Sequence, residues 1–314
     1  MITGTLFALA AGCMWGLVFV GPLMLPDYPA AMHTFGRYLA FGLIALPLAW
    51  LDRARLRDLT RADWIEALKL ALVGNIVYYL FLSSAIQRAG APLPTVVIGT
   101  LPVVIAVVSN LRAAQPLPWA RMLPSMGLIA AGIALVNQVE LTALRNDAKA
   151  DLTRYAWGGL LAVGAVVCWT WYPIRNAEWL RAHADRSAKN IAPTWATAQG
   201  IATLPLALIG YAGFWLWNTL SGSSFDMPLG PQAIQYVGLM FALGFFASWL
   251  GTLCWNEASQ RLPSTLSGQL IVFETLAALC FAFVLRGAWP QWQTLVGAGL
   301  LVAGVVWALR AQRG

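Results

Sequence analysis

Leu270-Ile271-Val272-Phe273-Glu274-Thr275-Leu276-Ala277-Ala278-Leu279 sets one carboxylate inside an apolar run that extends from 263 to 286. About 20 apolar residues cross the hydrocarbon core of a bilayer, so the run is long enough to span one. Nine further stretches of similar length and character surround it, at 4–25, 30–51, 64–87, 92–111, 119–137, 155–178, 191–217, 232–259 and 290–310. The composition agrees. Of 314 residues, 59% are hydrophobic and only 11% charged, with a mean hydropathy of +0.67, whereas soluble domains carry about 25% charged residues. Backbone groups in lipid must be satisfied within their own segment. The sequence therefore predicts an all-α polytopic membrane protein with ten transmembrane helices.

Turn-forming and polar clusters separate the runs: Asp27-Tyr28-Pro29, Gln115-Pro116-Leu117-Pro118, Asn146-Asp147-Ala148-Lys149 and Ser221-Gly222-Ser223-Ser224. The net charge of +7 sits in the short loops between runs, which fits topology signals and not a nucleic-acid partner. With the N-terminus inside, fourteen of the twenty Lys and Arg residues fall on the cytoplasmic side, five on the opposite side, and Arg37 within the second span. That asymmetry places both termini in the cytoplasm. The first apolar run continues well past the loosely signal-like Ala8-Leu9-Ala10, so it is expected to be retained as a span. Cys13, Cys168, Cys254 and Cys280 all lie in apolar stretches and are expected to be buried small hydrophobes.

The two halves resemble each other in parallel order. Leu46-Pro47-Leu48-Ala49 recurs as Leu204-Pro205-Leu206-Ala207, Gln87-Arg88 as Gln260-Arg261, Gly127-Leu128 as Gly299-Leu300, and Trp15 as Trp169. An odd number of helices per copy forces the second copy to enter from the opposite face. The expectation is two inverted five-helix repeats, 1–137 and 155–314, joined by a linker loop at 138–154 around a central cavity, an organisation found in secondary transporters.

Ten spans built as five plus five, with tryptophan in spans one and six and glycine-rich spans five and ten, resemble the drug/metabolite transporter superfamily, specifically its EamA-type exporters. The segments Val167-Cys168-Trp169-Thr170-Trp171-Tyr172, Leu243-Gly244-Phe245-Phe246 leading to Trp255-Asn256, and Val296-Gly297-Ala298-Gly299-Leu300 look most like the aromatic amino acid exporters of that group. The resemblance implies a basket of helices in the cell inner membrane, with spans five and ten peripheral, and export of amino acids by alternating access. In one place the chain departs from the pattern. Where many members carry Glu-Pro in spans four and nine, it has Leu101-Pro102 and Glu274-Thr275, so each half keeps one partner of the motif.

Glu274 lies eleven residues past Pro263, about 16 Å along a helix and near the bilayer centre. It is expected either to hydrogen-bond between helices as the neutral acid or to face a substrate, proton or water pathway; Ser264 and Ser267 would share its face. Arg37, about 10 Å into span two, could snorkel to the interface or form a structural ion pair, or could receive a substrate carboxylate while Glu274 takes its ammonium. Asn75, Tyr78, Tyr79 and Ser83 form one polar and aromatic stripe on span three; Phe245, Trp249, Thr252 and Asn256 form another on span eight; Trp169, Tyr172, Pro173 and Asn176 a third on span six. Together they would line one small-molecule site. Pro102 is the candidate gating hinge among the mid-span prolines Pro47, Pro102 and Pro205. His33 is expected at the interface. The patterns Gly127 with Ala131 and Gly299 with Ala303 are expected to pack within one subunit, which favours a monomer over a dimer. The partners expected are amino acids and the lipid bilayer. No cofactor or metal is expected, and no HExxH, GxSxG or paired-cysteine spacing points to an enzyme. Export of hydrophobic drugs or other metabolites, and a channel-like or lipid-handling role, are the alternatives.

Overall fold

The computed structural model describes residues 1–89, 94, 97–113, 116–145, 152–183, 191–287 and 289–311. Among them every regular element is helical. Among the described residues nine segments are long and apolar enough to cross a membrane: α1 (Ile2–Phe19), α2 (Ala30–Leu51), α3 (Arg61–Ala89), α5 (Trp119–Arg145), α6 (Leu152–Ala182), α7 (Ile191–Leu220), α8 (Ala233–Arg261), α9 (Ser264–Leu270 and Val272–Arg286) and α10 (Trp292–Ala311). A shorter apolar helix, α4 (Leu101–Arg112), occupies the second part of the expected fourth span; much of the first part lies outside the described residues.

Side chains that a water-soluble protein would hide form the outer surface. Leu46, Ile209, Leu216, Ile234, Val284 and Leu295 are exposed, a coverage suited to lipid and not to water. Trp50, Trp119, Trp157, Trp217 and Trp292 are exposed at helix ends, where amphipathic rings meet the headgroups. Among the polar starts, α3 opens on a capping box: the Asp63 amide donates to Thr60 Oγ1 and the Thr60 amide to Asp63 Oδ2. Two boundaries differ from expectation. α6 begins at Leu152, and α5 continues to Arg145 through Leu141, Ala143 and Leu144, residue types that favour helix; Asn146-Asp147-Ala148-Lys149 lies outside the described residues.

The helices pack in close pairs. α5 and α10 approach until a Cβ added at Gly297 would sit 2.8 Å from the Gly132 carbonyl and 2.7 Å from Val136 Cγ2. The small-residue pattern expected to do this is one face away. Gly127, Ala131, Gly299 and Ala303 are exposed on the outer surface, with open space at both glycines, while Gly132, Gly297 and Gly304 form the contact. The expectation that all four cysteines are buried also fails in part: Cys168 and Cys254 are, whereas Cys13 and Cys280 are exposed on the apolar surface.

Because Gly297 has no room and Gly299 does, Gly297→Leu should lower stability by about 1–3 kcal/mol through overpacking, while Gly299→Leu should change it little. Thermal unfolding of the detergent-solubilised chain measures both.

Candidate functional site

Three departures from regular α-helix shape the centre of the bundle. α3 is π-helical over Ala71–Val77 and α8 over Leu243–Leu250, and π turns recur at functional sites. α9 breaks at Ile271, three residues before Glu274. α4 begins after a turn at Gly99-Thr100, so Pro102 lies in its first helical turn. There its missing N–H removes no hydrogen bond. Pro102 marks a helix start and does not kink a helix interior, as the expected hinge would.

Arg37 and Glu274 are both buried, each about 5% exposed. Arg37 does not snorkel. Its Nε donates to Ser248 Oγ at 2.9 Å, and its guanidinium lies 5.0 Å from the Tyr38 ring centroid and 4.9 Å from that of Tyr79. This places the cation between the π-helical part of α8 and the residues that follow the π-helical part of α3, while Nη1 has no protein partner. Glu274 is set by α1. Cβ atoms added at Gly12 and Gly16 would sit 2.8 Å from Phe273 Cβ and 2.7 Å from Ala277 Cβ, so glycine at both positions brings α9 against α1. Its Oε2 also has no protein partner. The two charges are within Coulombic range of each other, and both are within range of the Tyr78 hydroxyl. The Tyr78 hydroxyl and the Trp169 indole nitrogen are likewise buried and unpartnered.

An aromatic cluster walls this region. Trp169 is stacked by Tyr78 at 4.5 Å and by Tyr172 at 5.0 Å, and meets Trp15 edge-on at 5.1 Å; Trp15 in turn packs on Trp255 at 5.2 Å. The rings stack on one another, and the polar edge atoms of Tyr78 and Trp169 are left without protein partners.

The other expected site residues divide. Tyr79 is buried, its ring against Arg37 and its hydroxyl donating to the Val18 carbonyl at 3.2 Å; Ser83 is buried one turn on. Asn256 is already committed: its Nδ2 donates to the Ala192 carbonyl at 3.1 Å and its Oδ1 accepts from Asn176 Nδ2 at 2.8 Å. Asn176 Oδ1 accepts from Trp195 Nε1 at 2.8 Å and Gln199 Nε2 at 3.2 Å, and Gln199 Oε1 accepts from the Tyr172 hydroxyl at 2.9 Å. Asn75 donates to Thr203 Oγ1 at 3.3 Å and Trp249 to Thr197 Oγ1 at 3.1 Å. Asn75, Trp249 and Asn256 are thus pinned to α7. Phe245 is 37% exposed and continues the outer stripe of Ile234, Val237 and Phe241. A straight α-helix would have aligned it with Trp249, Thr252 and Asn256, but the π-helical segment adds a residue to the turn and puts Ser248 on the inner face instead. His33, expected at the interface, is buried with Nε2 3.0 Å from the Leu25 carbonyl. Ser248, Tyr38, Trp15 and Trp255 were not expected at the site; a π-helical segment leaves no periodic signal from which Ser248 could be read.

A family model described as the EamA-like transporter family matches residues 2–138. The inner membrane protein YtfF of Escherichia coli strain K12 is 51% identical over 99% of this chain and 96% of its own length. The chain belongs to the EamA-like transporter family. An uncharacterized inner membrane transporter, YhbE of Escherichia coli strain K12, is 24% identical over 99% of the chain and 92% of its own length. A protein of known crystal structure superimposes over 100% of this chain and 99% of its own with a TM-score of 0.71 at 19% identity, which shows a shared fold. Membership of the EamA-like family, the inner-membrane relatives and the apolar helices together make this a multi-pass inner membrane protein of transporter and not enzyme kind.

Because Asn256 holds structure together, Asn256→Ala should cost about 1–3 kcal/mol of stability by leaving Asn176 and the Ala192 carbonyl short of a partner. Thermal unfolding should show the loss, and any transport that remains should keep its apparent affinity.

Proposed function

We propose that the chain exports neutral amino acids, aromatic ones included, from the cytoplasm by alternating access. The observation that carries the reading is the pair of buried ionisable side chains with unpartnered atoms, Arg37 and Glu274. An ionisable group within the membrane core costs several kcal/mol unless it meets a partner or water, and here, among the described residues, neither Arg37 Nη1 nor Glu274 Oε2 has a protein partner. A zwitterion would satisfy both at once, its carboxylate on Arg37 and its ammonium on Glu274. The Tyr78 hydroxyl and Trp169 indole nitrogen would add hydrogen bonds at the rim, and Tyr79 and Ser248 would hold the guanidinium in place.

In this reading 1–137 and 155–314 are inverted five-helix repeats, both termini lie in the cytoplasm, and the chain works as a monomer. Support comes from the matching irregularities of the two halves: a π-helical segment in α3 and another in α8, and a break at the start of α4 and another within α9. Discontinuous helices meeting near the midplane are where secondary transporters bind substrate.

Purified protein in liposomes, tested with labelled phenylalanine, threonine and a cationic dye with and without a pH gradient, measures the proposal. Both amino acids should show saturable flux and the dye little. Glu274→Gln and Arg37→Gln should each lower kcat/KM for amino acids at least about tenfold, the loss of one charge-assisted hydrogen bond, and Ser248→Ala should lower it less. Dye transport without amino-acid transport would refute the substrate class, and wild-type kinetics in both charge variants would refute the site.

A further inference from the structure

Away from the Arg37–Glu274 region, a second group of unpartnered polar atoms lies where α4, α6, α8 and α9 meet. Ser109 on α4, Ser259 on α8 and Ser267 on α9 are 4%, 2% and 4% exposed, and none of their hydroxyls has a protein partner. All three line one small void of about 10 Å³, beside Ile105, Ser264, Gly268 and Trp255, whose indole nitrogen is likewise buried without a partner. The seam around it is tight. A Cβ added at Gly268 would lie 2.7 Å from Ile105 Cγ2 and 3.1 Å from the Ala106 amide nitrogen, so α9 meets the backbone of α4 directly beside the void.

A buried hydroxyl without a partner costs about 1–3 kcal/mol, and three around one void call for a common partner. The volume is that of a single water, which needs roughly 10–15 Å³ and makes about three hydrogen bonds when buried. An amino acid or inorganic anion is too large. A cation is disfavoured because no carboxylate lines the void and the Arg181 guanidinium donates to Ser264, which also lines it.

We propose that Ser109, Ser259 and Ser267 hold one water molecule that joins α4, α8 and α9 at this seam. Each hydroxyl reaches a different helix through the same molecule, so the three serines act as one unit. Such a junction parts into water without stripping its polar centre, unlike a dry apolar seam, because the hydroxyls exchange one water for many.

The test needs no substrate and stands apart from the transport assay. Full-length protein in detergent is unfolded thermally as wild type, as Ser109→Ala, Ser259→Ala and Ser267→Ala, and as the triple variant. Each single change should lower the midpoint by about 1–3 °C, because the shared water loses a ligand. The triple variant should melt no lower than the single variants, since it leaves neither water nor orphaned hydroxyls. Losses that add up to the triple, as independent sites do, would overturn the proposal, and so would single variants that melt like wild type. An experimental structure resolving ordered water gives the second reading. Density within hydrogen-bond distance of all three Oγ atoms is expected, and hydroxyls turned back onto carbonyls of their own helices with no density between them would end it.

Discussion

A guanidinium and a carboxylate share the interior of this bundle without pairing, and the central architecture serves to keep each where it is. Arg37 is clamped by Ser248 on one side and by the faces of Tyr38 and Tyr79 on the other. Glu274 is fixed through its backbone, because glycine at positions 12 and 16 lets α1 seat directly against the turn that carries it. Direct contact between the charges would quench both. Held apart, each retains unmet hydrogen-bonding capacity in a medium of low dielectric, where an unpaired polar group is most costly.

The aromatic cluster acts as a frame for those charges. Trp15, Tyr78, Trp169, Tyr172 and Trp255 pack ring on ring, and Tyr172 joins through Gln199 to the Asn176–Asn256 network that holds α6, α7 and α8 together. Fully satisfied buried networks are rigid and specify one arrangement of helices. This satisfied layer on α7 contrasts with the unsatisfied groups between α2, α3 and α9.

Much of the fold was legible in the sequence because lipid imposes simple rules on length and polarity. Apolar runs with breakers between them marked nearly every helix, and a carboxylate in mid-run marked a residue that must face inward. Arg37 and Glu274 could be found by that rule alone. What the sequence hid was rotation. Asn256 and Phe245 were grouped with Trp249 on the assumption of a uniform helical period, and the π-helical stretch of α8 breaks that assumption, sending Phe245 to the lipid and bringing Ser248 inward. In the same way Gly127 and Gly299 had the right spacing on the wrong face, since glycine spacing carries no information about which side a partner helix will occupy. Whether an inward-facing amide is free or already bonded depends on a neighbour distant in sequence: Asn256 is engaged by Asn176, eighty positions away.

The wide turn in α8 has an evolutionary side. A π-helical stretch absorbs one surplus residue locally, so the regular turns before and after it keep their facing. Loss of a single codon within 243–250 would therefore leave Ile234, Val237 and Phe241 on the outer face and the Asn256 anchor in register while changing which side chain meets Arg37. A length change confined to one turn can thus alter the surroundings of Arg37 without rebuilding the bundle.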